Sequence, residues 1–301
     1  MENYLATIIA GTLAGTLSRI QLLRMDYRQY PGYPHGMISH ISLGFIASAI
    51  GSVSVPAIMK PDFAAVTFLA LAATQFREIR GIERTTLDNL DKKELVQRGS
   101  DYIEGIARTF EARNYLVMFT AFLVTAAFYL TGLPGAVVMT VLLAASVRYF
   151  MSGKNIGDIC EVVPAKISFD KNLLKVDEID VMNVGLPEMR DKIINEGLAV
   201  KIVPRDFNAM AVLSDVGQRM AIAHTAAALL GTKKDIDTPE FTPLARKNVD
   251  TGDVGLYVMP VINDMEALLL AVKRTPVLES SRSKPLSTGA GRVAVKNNGR
   301  Q

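Results

Sequence analysis

Cysteine is almost missing from this chain: a single residue, Cys160, stands among 301. An intramolecular disulfide framework is therefore excluded, the composition fits a reducing compartment, and the lone thiol reads as a small buried apolar side chain. Histidine is nearly as scarce, at three residues. His35 and His40 sit close in sequence and offer, with Asp26, donor types that suit a metal. Neither a His-Glu-x-x-His spacing nor a cysteine cluster accompanies them, so no metal site is expected. His224, inside an alanine-rich stretch, reads as structural.

Other signatures are also lacking. Without a Gly-x-Ser-x-Gly element, serine-nucleophile catalysis has no support. Gly289-Ala290-Gly291 lacks the Lys-Ser/Thr of a phosphate loop, so neither nucleotide hydrolysis nor a cofactor is expected. The formal net charge is only +3, and no basic patch interleaved with aromatics appears, which argues against nucleic acid as a partner. No basic leader or cleavage pattern marks the first apolar run, which is read as retained.

What the chain does have is long apolar sequence, confined to its first half. Residues 151–301 alternate apolar and charged residues like a water-soluble fold, and the mean hydropathy of +0.22 averages the two halves. The predicted class is an α-helical multi-pass membrane domain of about five spans, residues 1–150, followed by a cytoplasmic α/β domain, residues 151–279. A hydrocarbon layer of ~30 Å needs roughly 20 apolar residues per helix. Spans are expected near 4–23, 37–59, 63–79, 115–131 and 134–150. The first requires Arg19 to snorkel to the interface, and its Gly11 and Gly15 form a small-xxx-small pair suited to close helix approach. The second, rich in Gly, Ala and Ser, is expected at the centre of the bundle. The third is apolar only from Phe63 to Phe76. The last two are joined by a hairpin at 131–134.

Basic residues in short loops resist translocation. Arg24 and Arg28 lie in the first loop and eight basic residues lie in the connector 77–114, against Lys60 alone in the second and fourth loops. The N-terminus is expected outside the cell membrane and the C-terminal half in the cytoplasm.

In that half, alternation around Ile179 and Val181 predicts short strands. Pro187 and Gly197 bracket a helix. A strand then covers 198–203, with Asp206 placed to cap the helix after it. The unit recurs at an offset of 58 residues: Gly197, Leu198, Val200, Val203, Asp206 and Ala209 align on Gly255, Leu256, Val258, Val261, Asp264 and Ala267. Two strand-turn-helix units of an α/β layer fold are predicted. Residues 209–230 are expected as one helix, 232–253 as an exposed loop and 280–301 as a disordered basic tail.

The stretch 100–114 is amphipathic. Ile103, Ile106, Ala107 and Phe110 share one helical stripe and Asp101, Glu104, Arg108 and Glu111 lie largely off it, as in a helix lying on a membrane surface. Residues 102–107 spell Tyr-Ile-Glu-Gly-Ile-Ala, and the chain resembles the YIEGIA family of membrane proteins from spore-forming bacteria over most of its length. The resemblance implies a role in sporulation and brings no catalytic mechanism with it.

Asp26, just past the first span, and Asp101, a dozen residues before the fourth, both fall at the predicted cytoplasmic face. Two carboxylates held close cannot both ionise cheaply, so such a pair can act as acid and base on water attacking a peptide bond. The leading expectation is accordingly a membrane-bound aspartic protease with Asp26 and Asp101 catalytic, and with Tyr27, Arg28, Tyr102, Glu104 and Arg108 positioning the substrate. Gly99-Ser100-Asp101 is similar to, though not the same as, the Gly-x-Gly-Asp element of such enzymes. The rival expectation is a non-enzymatic scaffold that recruits sporulation proteins. There Asp101 and Glu104 start a helix, Glu104 pairs with Arg108 at i, i+4, and Asp26 is neutralised by Arg24 and Arg28. No paired charges are evident within the spans, which ranks transport last. Expected partners are a protein substrate or sporulation partner and membrane lipid, with homo-oligomerisation left open.

Overall fold

The computed structural model describes residues 2–26, 34–60, 63–150, 153–235, 238–239, 241–282 and 284–297. The chain divides into two compact units, Met1–Thr86 with Ile106–Gly153, and Leu87–Gly105 with Lys154–Gln301.

The first unit is built from α1 (Glu2–Asp26), α2 (Pro34–Met59), most of α3 (Phe63–Asp91) and most of α4 (Ser100–Phe150). A straight helix of 51 residues would run about 75 Å, but α4 is not straight. Gly132 has φ 74° and ψ −166°, a conformation open essentially to glycine, and Pro134 follows it. The chain folds back there: Val124 packs with Ala136, and Val117 with Val147. The hairpin expected at 131–134 is thus present. Close helix approach is also borne out, since a Cβ on Gly11 would lie 2.7 Å from the Ala121 carbonyl oxygen and one on Gly15 2.8 Å from Ser48 Cβ.

Among the described residues three helices, Tyr4–Asp26, Gly36–Met59 and Ser100–Tyr149, are long and apolar enough to cross a membrane, and five crossings are not borne out. The helix that holds the expected third span, α3, is not one of the three, since seven charged residues fall from Arg77 to Asp91. The surface-helix expectation also needs correction. Ile103, Ile106, Ala107 and Phe110 are all buried, so the apolar stripe at the start of α4 is covered by protein rather than by lipid headgroups.

The second unit holds α5 (Ile156–Ile159), β1 (Cys160–Pro164), β2 (Ile167–Asp170), β3 (Leu173–Val176), β4 (Ile179–Asn183), α6 (Pro187–Glu196), β5 (Leu198–Pro204), α7 (Phe207–Ser214), α8 (Val216–Leu230), β6 (Lys234–Asp235), β7 (Thr238–Pro239), β8 (Leu244–Lys247), β9 (Val254–Val258), α9 (Met265–Arg274), a 3-10 turn at Pro285–Ser287 and α10 (Gly289–Asn297). Its centre is an antiparallel sheet in the order β1-β5-β9-β8. One face packs on α7, α8 and α9 through Val200, Ile202, Leu213, Ile222, Leu256 and Leu268. The other packs on the β2-β3-β4 meander and α6 through Leu174, Val176, Ile193 and Tyr257. Every residue of β9 is buried because both faces of that strand are covered.

The 58-residue offset has a structural counterpart. Ala199 pairs with Tyr257, its own equivalent, and the neighbouring pairs Leu198↔Val258 and Val200↔Leu256 exchange when 58 is added to one member and subtracted from the other. β5 and β9 are therefore related by a local two-fold axis through the Ala199–Tyr257 pair. The two aspartates sit alike as well: Asp206 accepts from the Ala209 N–H at 2.7 Å and Asp264 from the Ala267 N–H at 3.0 Å.

Three local expectations differ from what is found. Asp215 interrupts the predicted long helix and caps α8, accepting from Gln218 N–H at 2.8 Å. The expected loop at 232–253 supplies β8 to the central sheet. The tail expected to lack structure carries α10.

Candidate functional site

The apolar first unit conceals a cluster of ionisable groups. Arg19 on α1 is 0% exposed, Asp26 at the end of α1 2%, His40 on α2 4%, Glu83 on α3 5% and Arg113 on α4 2%. Arg19 Nη1 meets Asp26 Oδ2 at 2.6 Å, and Arg113 ion-pairs with the other carboxylate oxygen. His40 stands between two acids, with Nδ1 3.7 Å from Asp26 Oδ2 and Nε2 3.4 Å from Glu83 Oε1. Phe110 floors the cluster: the Arg19 guanidinium lies 5.4 Å from its ring centroid and the His40 ring 4.7 Å. Buried charges persist only when paired, and four helices each contribute a member here. Arg19 therefore does not snorkel to an interface, and Arg24 is not what neutralises Asp26. Only Arg19 and His40 of the cluster fall within the expected spans 4–23 and 37–59; their acidic partners Asp26 and Glu83 lie just beyond the expected spans.

The six-residue motif has a different setting. Tyr102 is buried, and its backbone N would lie 3.1 Å from a Cβ placed on Gly217, in the first turn of α8. A Cβ on Gly105 would lie 2.9 Å from Ser280 Cβ. Upstream, Asp91 accepts from the N–H groups of Arg98 and Gly99 at 2.8 and 3.0 Å. His224 Nδ1–H donates to the Val96 carbonyl at 2.7 Å. The segment 87–105 is thus stitched to α8 and to the chain beyond α9 within the second unit. The motif's glycine is required by close packing there.

Residues 7–288 match the family described as "YIEGIA protein". The chain belongs to the YIEGIA family. It is also 42% identical over 285 residues, 95% of this chain and 96% of the relative, to the Bacillus subtilis (strain 168) protein named "Uncharacterized protein YphB". No solved structure matches.

In this YIEGIA protein the two aspartates singled out from sequence have unlike surroundings. Asp26 is buried on two guanidinium groups and a histidine; Asp101 is exposed in the first turn of α4 and belongs to the second unit. Tyr27 and Arg28 lie outside the described residues. Tyr102 is buried, Glu104 half-buried and Arg108 exposed. Among the described residues no group of three His, Cys, Asp or Glu side chains could hold a metal ion. Cys160 is buried and its thiol is pushed up to about 12 by burial, so it stays protonated and inert at neutral pH. Sequence reasoning missed Arg19, Glu83 and Arg113 as cluster members. For Arg19 the available signal was a charge within otherwise apolar helical sequence, where it requires a partner; Glu83 and Arg113 lie in charged stretches that give no such signal.

Proposed function

We propose that the chain is a membrane-embedded platform that holds its α/β unit at the cytoplasmic face and recruits protein partners during sporulation, with the Arg19–Asp26–Arg113 cluster locking the helices. The occurrence of a relative in a spore-forming bacterium supports the sporulation setting. The carrying observation is what surrounds Asp26. A proteolytic carboxyl pair depends on mutual repulsion that keeps one proton in place, whereas Asp26 is held by two cations and a histidine. That is the setting of a structural counter-ion. The basic first loop and the single Lys60 favour an outside N-terminus and a cytoplasmic C-terminal unit.

The test separates the platform from an aspartic endopeptidase that uses Asp26 and Asp101. Asp26→Asn and Asp101→Asn are expressed separately, and membrane abundance and sporulation-stage proteins are followed. Asp101→Asn is expected to match the parent, because Asp101 is an exposed side chain in the first turn of α4, and Asp26→Asn is expected to lose abundance. If both variants persist at parental levels while one sporulation protein accumulates uncleaved, the endopeptidase reading replaces this one.

A further inference from the structure

The end of α1 and the last turns of α4 run side by side. Gln21 Nε2 donates to the Ala144 carbonyl at 3.1 Å, and Leu22 packs with Val147. Since Ala14 also clusters with Ala136, α1 and the second limb of α4 are parallel and both finish at this end. Between them lies a cavity of about 520 Å³, lined by Leu17, Ile20, Gln21, Arg24, Val147 and Arg148. Arg24 and Arg148 occupy the last turns of their helices. Attraction to helix C-termini explains cations at such positions; it does not explain why both line one cavity. Both side chains are exposed, and among the described residues no hydrogen bond or ion pair reaches either guanidinium, whereas the buried Arg19 and Arg113 of the same unit are matched to Asp26.

The approach to this cavity is apolar. Leu5, Ile9, Leu13, Leu17 and Ile20 are exposed along one face of α1, at steps of three and four residues that lead to Arg24. That row rises about 22 Å, more than a leaflet of roughly half the ~30 Å hydrocarbon core. Val138, Val141 and Leu142 are exposed on the neighbouring limb of α4. A groove between two parallel helices, apolar along its length and ending in one guanidinium from each wall, matches an amphiphile with a long hydrocarbon chain and an anionic phosphate head. Arginine is the side chain suited to gripping phosphate by paired N–H groups, and basic pockets between membrane helices are recognised sites for acidic lipid heads.

We propose that this groove binds one anionic phospholipid, its phosphate held by Arg24 and Arg148 and an acyl chain lying on the Leu13–Leu17–Ile20 face. The proposal rests on the membrane-embedded reading above. The full chain, solubilised in neutral detergent, is titrated with phosphatidylglycerol, with phosphatidylcholine of the same acyl chains, or with inorganic phosphate. Lipid retention is read by native mass spectrometry and stability by the thermal unfolding midpoint. The parent is expected to retain phosphatidylglycerol in preference to phosphatidylcholine and to unfold later with it. Arg24→Gln/Arg148→Gln is expected to bind it on the order of tenfold more weakly. Lys92→Gln/Lys93→Gln, which removes the same charge from exposed positions, is expected to behave as the parent.

Equal retention of the two lipids overturns the proposal, as does undiminished preference in the glutamine pair. Inorganic phosphate replacing the lipid at equal concentration overturns it too, since the site would then take a soluble anion. If the glutamine pair does not fold, Arg24→Gln and Arg148→Gln are measured singly, and full preference in both overturns the proposal. Extraction of cell membranes at alkaline pH keeps the outcomes apart. A chain released as soluble protein defeats the membrane reading, while an integral chain indifferent to lipid charge defeats this proposal alone.

Discussion

At the scale of single residues, the buried ionic cluster decides the most. Removing one member of a buried ion pair leaves a desolvated charge and costs about 3–5 kcal/mol, whereas exchanging the whole set for apolar groups of similar volume is often neutral or stabilising. Asp26→Asn is therefore expected to lower the unfolding free energy in detergent by about 3 kcal/mol or more, because Arg19 and Arg113 would share no carboxylate. The triple exchange Arg19→Met/Asp26→Leu/Arg113→Met is expected to recover much of that loss and to keep any activity that depends only on the fold. Recovery of stability without recovery of the sporulation role proposed above would show that the charges act beyond holding the fold.

His224 makes a second residue-scale prediction. Burial first, and then nearby Arg98, holds its pKa below the usual value near 6.5. As pH falls below about 6.5, the unfolded chain takes up a proton that the folded chain resists, so stability drops until the folded pKa is passed and is level above pH 7. His224→Gln should flatten the unfolding midpoint between pH 7 and 5.5. An equal slope in parent and variant would show that other groups set it.

At the scale of elements, the sequence was most legible where a local rule acts alone. Pro187 and Gly197 bracket α6, and Asp206 and Asp264 cap their helices, because a cap depends on a few adjacent residues. Gly132 and Pro134 likewise mark the turn in α4. Legibility failed where a partner distant in the chain decides. The stripe from Ile103 to Phe110 has the same periodicity whether lipid or protein covers it. β8 was hidden because it is a strand only by pairing with β9, and Asp215 was hidden because a cap inside an apolar helical pattern looks like one polar residue. Gln218 is an example of the same kind. It is fully buried; its Nε2 donates to the Pro276 carbonyl at 3.1 Å and its Oε1 accepts from Leu278 N–H at 2.8 Å. Gln218→Ala leaves those backbone groups unpaired, an expected loss of about 1–3 kcal/mol. Limited proteolysis should then cut within residues 275–282 before the core. Parental protease resistance would show that apolar packing of Val277 and Leu278 suffices to hold that segment.

At the scale of the whole molecule, the expected side of each end follows from both the charge pattern and the bundle's internal order. Lys60 lies over the Tyr4 ring, which stacks on Tyr129, so the start of α1, the end of α2 and the tip of the α4 hairpin share one end of the first unit. His40 and Arg113 meet Asp26 at the other end, where Arg24 and Arg148 also lie. Cations in short loops favour the cytoplasmic side, and the second end carries far more of them than the first. A single cysteine introduced at Lys60 in a Cys160→Ala background is accordingly expected to react with a membrane-impermeant maleimide on intact cells. One introduced at exposed Lys154 should react only after the cells are opened. Cys160 would add little background, being buried and protonated at neutral pH, but its removal makes each signal attributable to one site. Labelling of Lys154→Cys on intact cells would invert the arrangement and put the α/β unit outside, where partners made in the cytoplasm could not reach it.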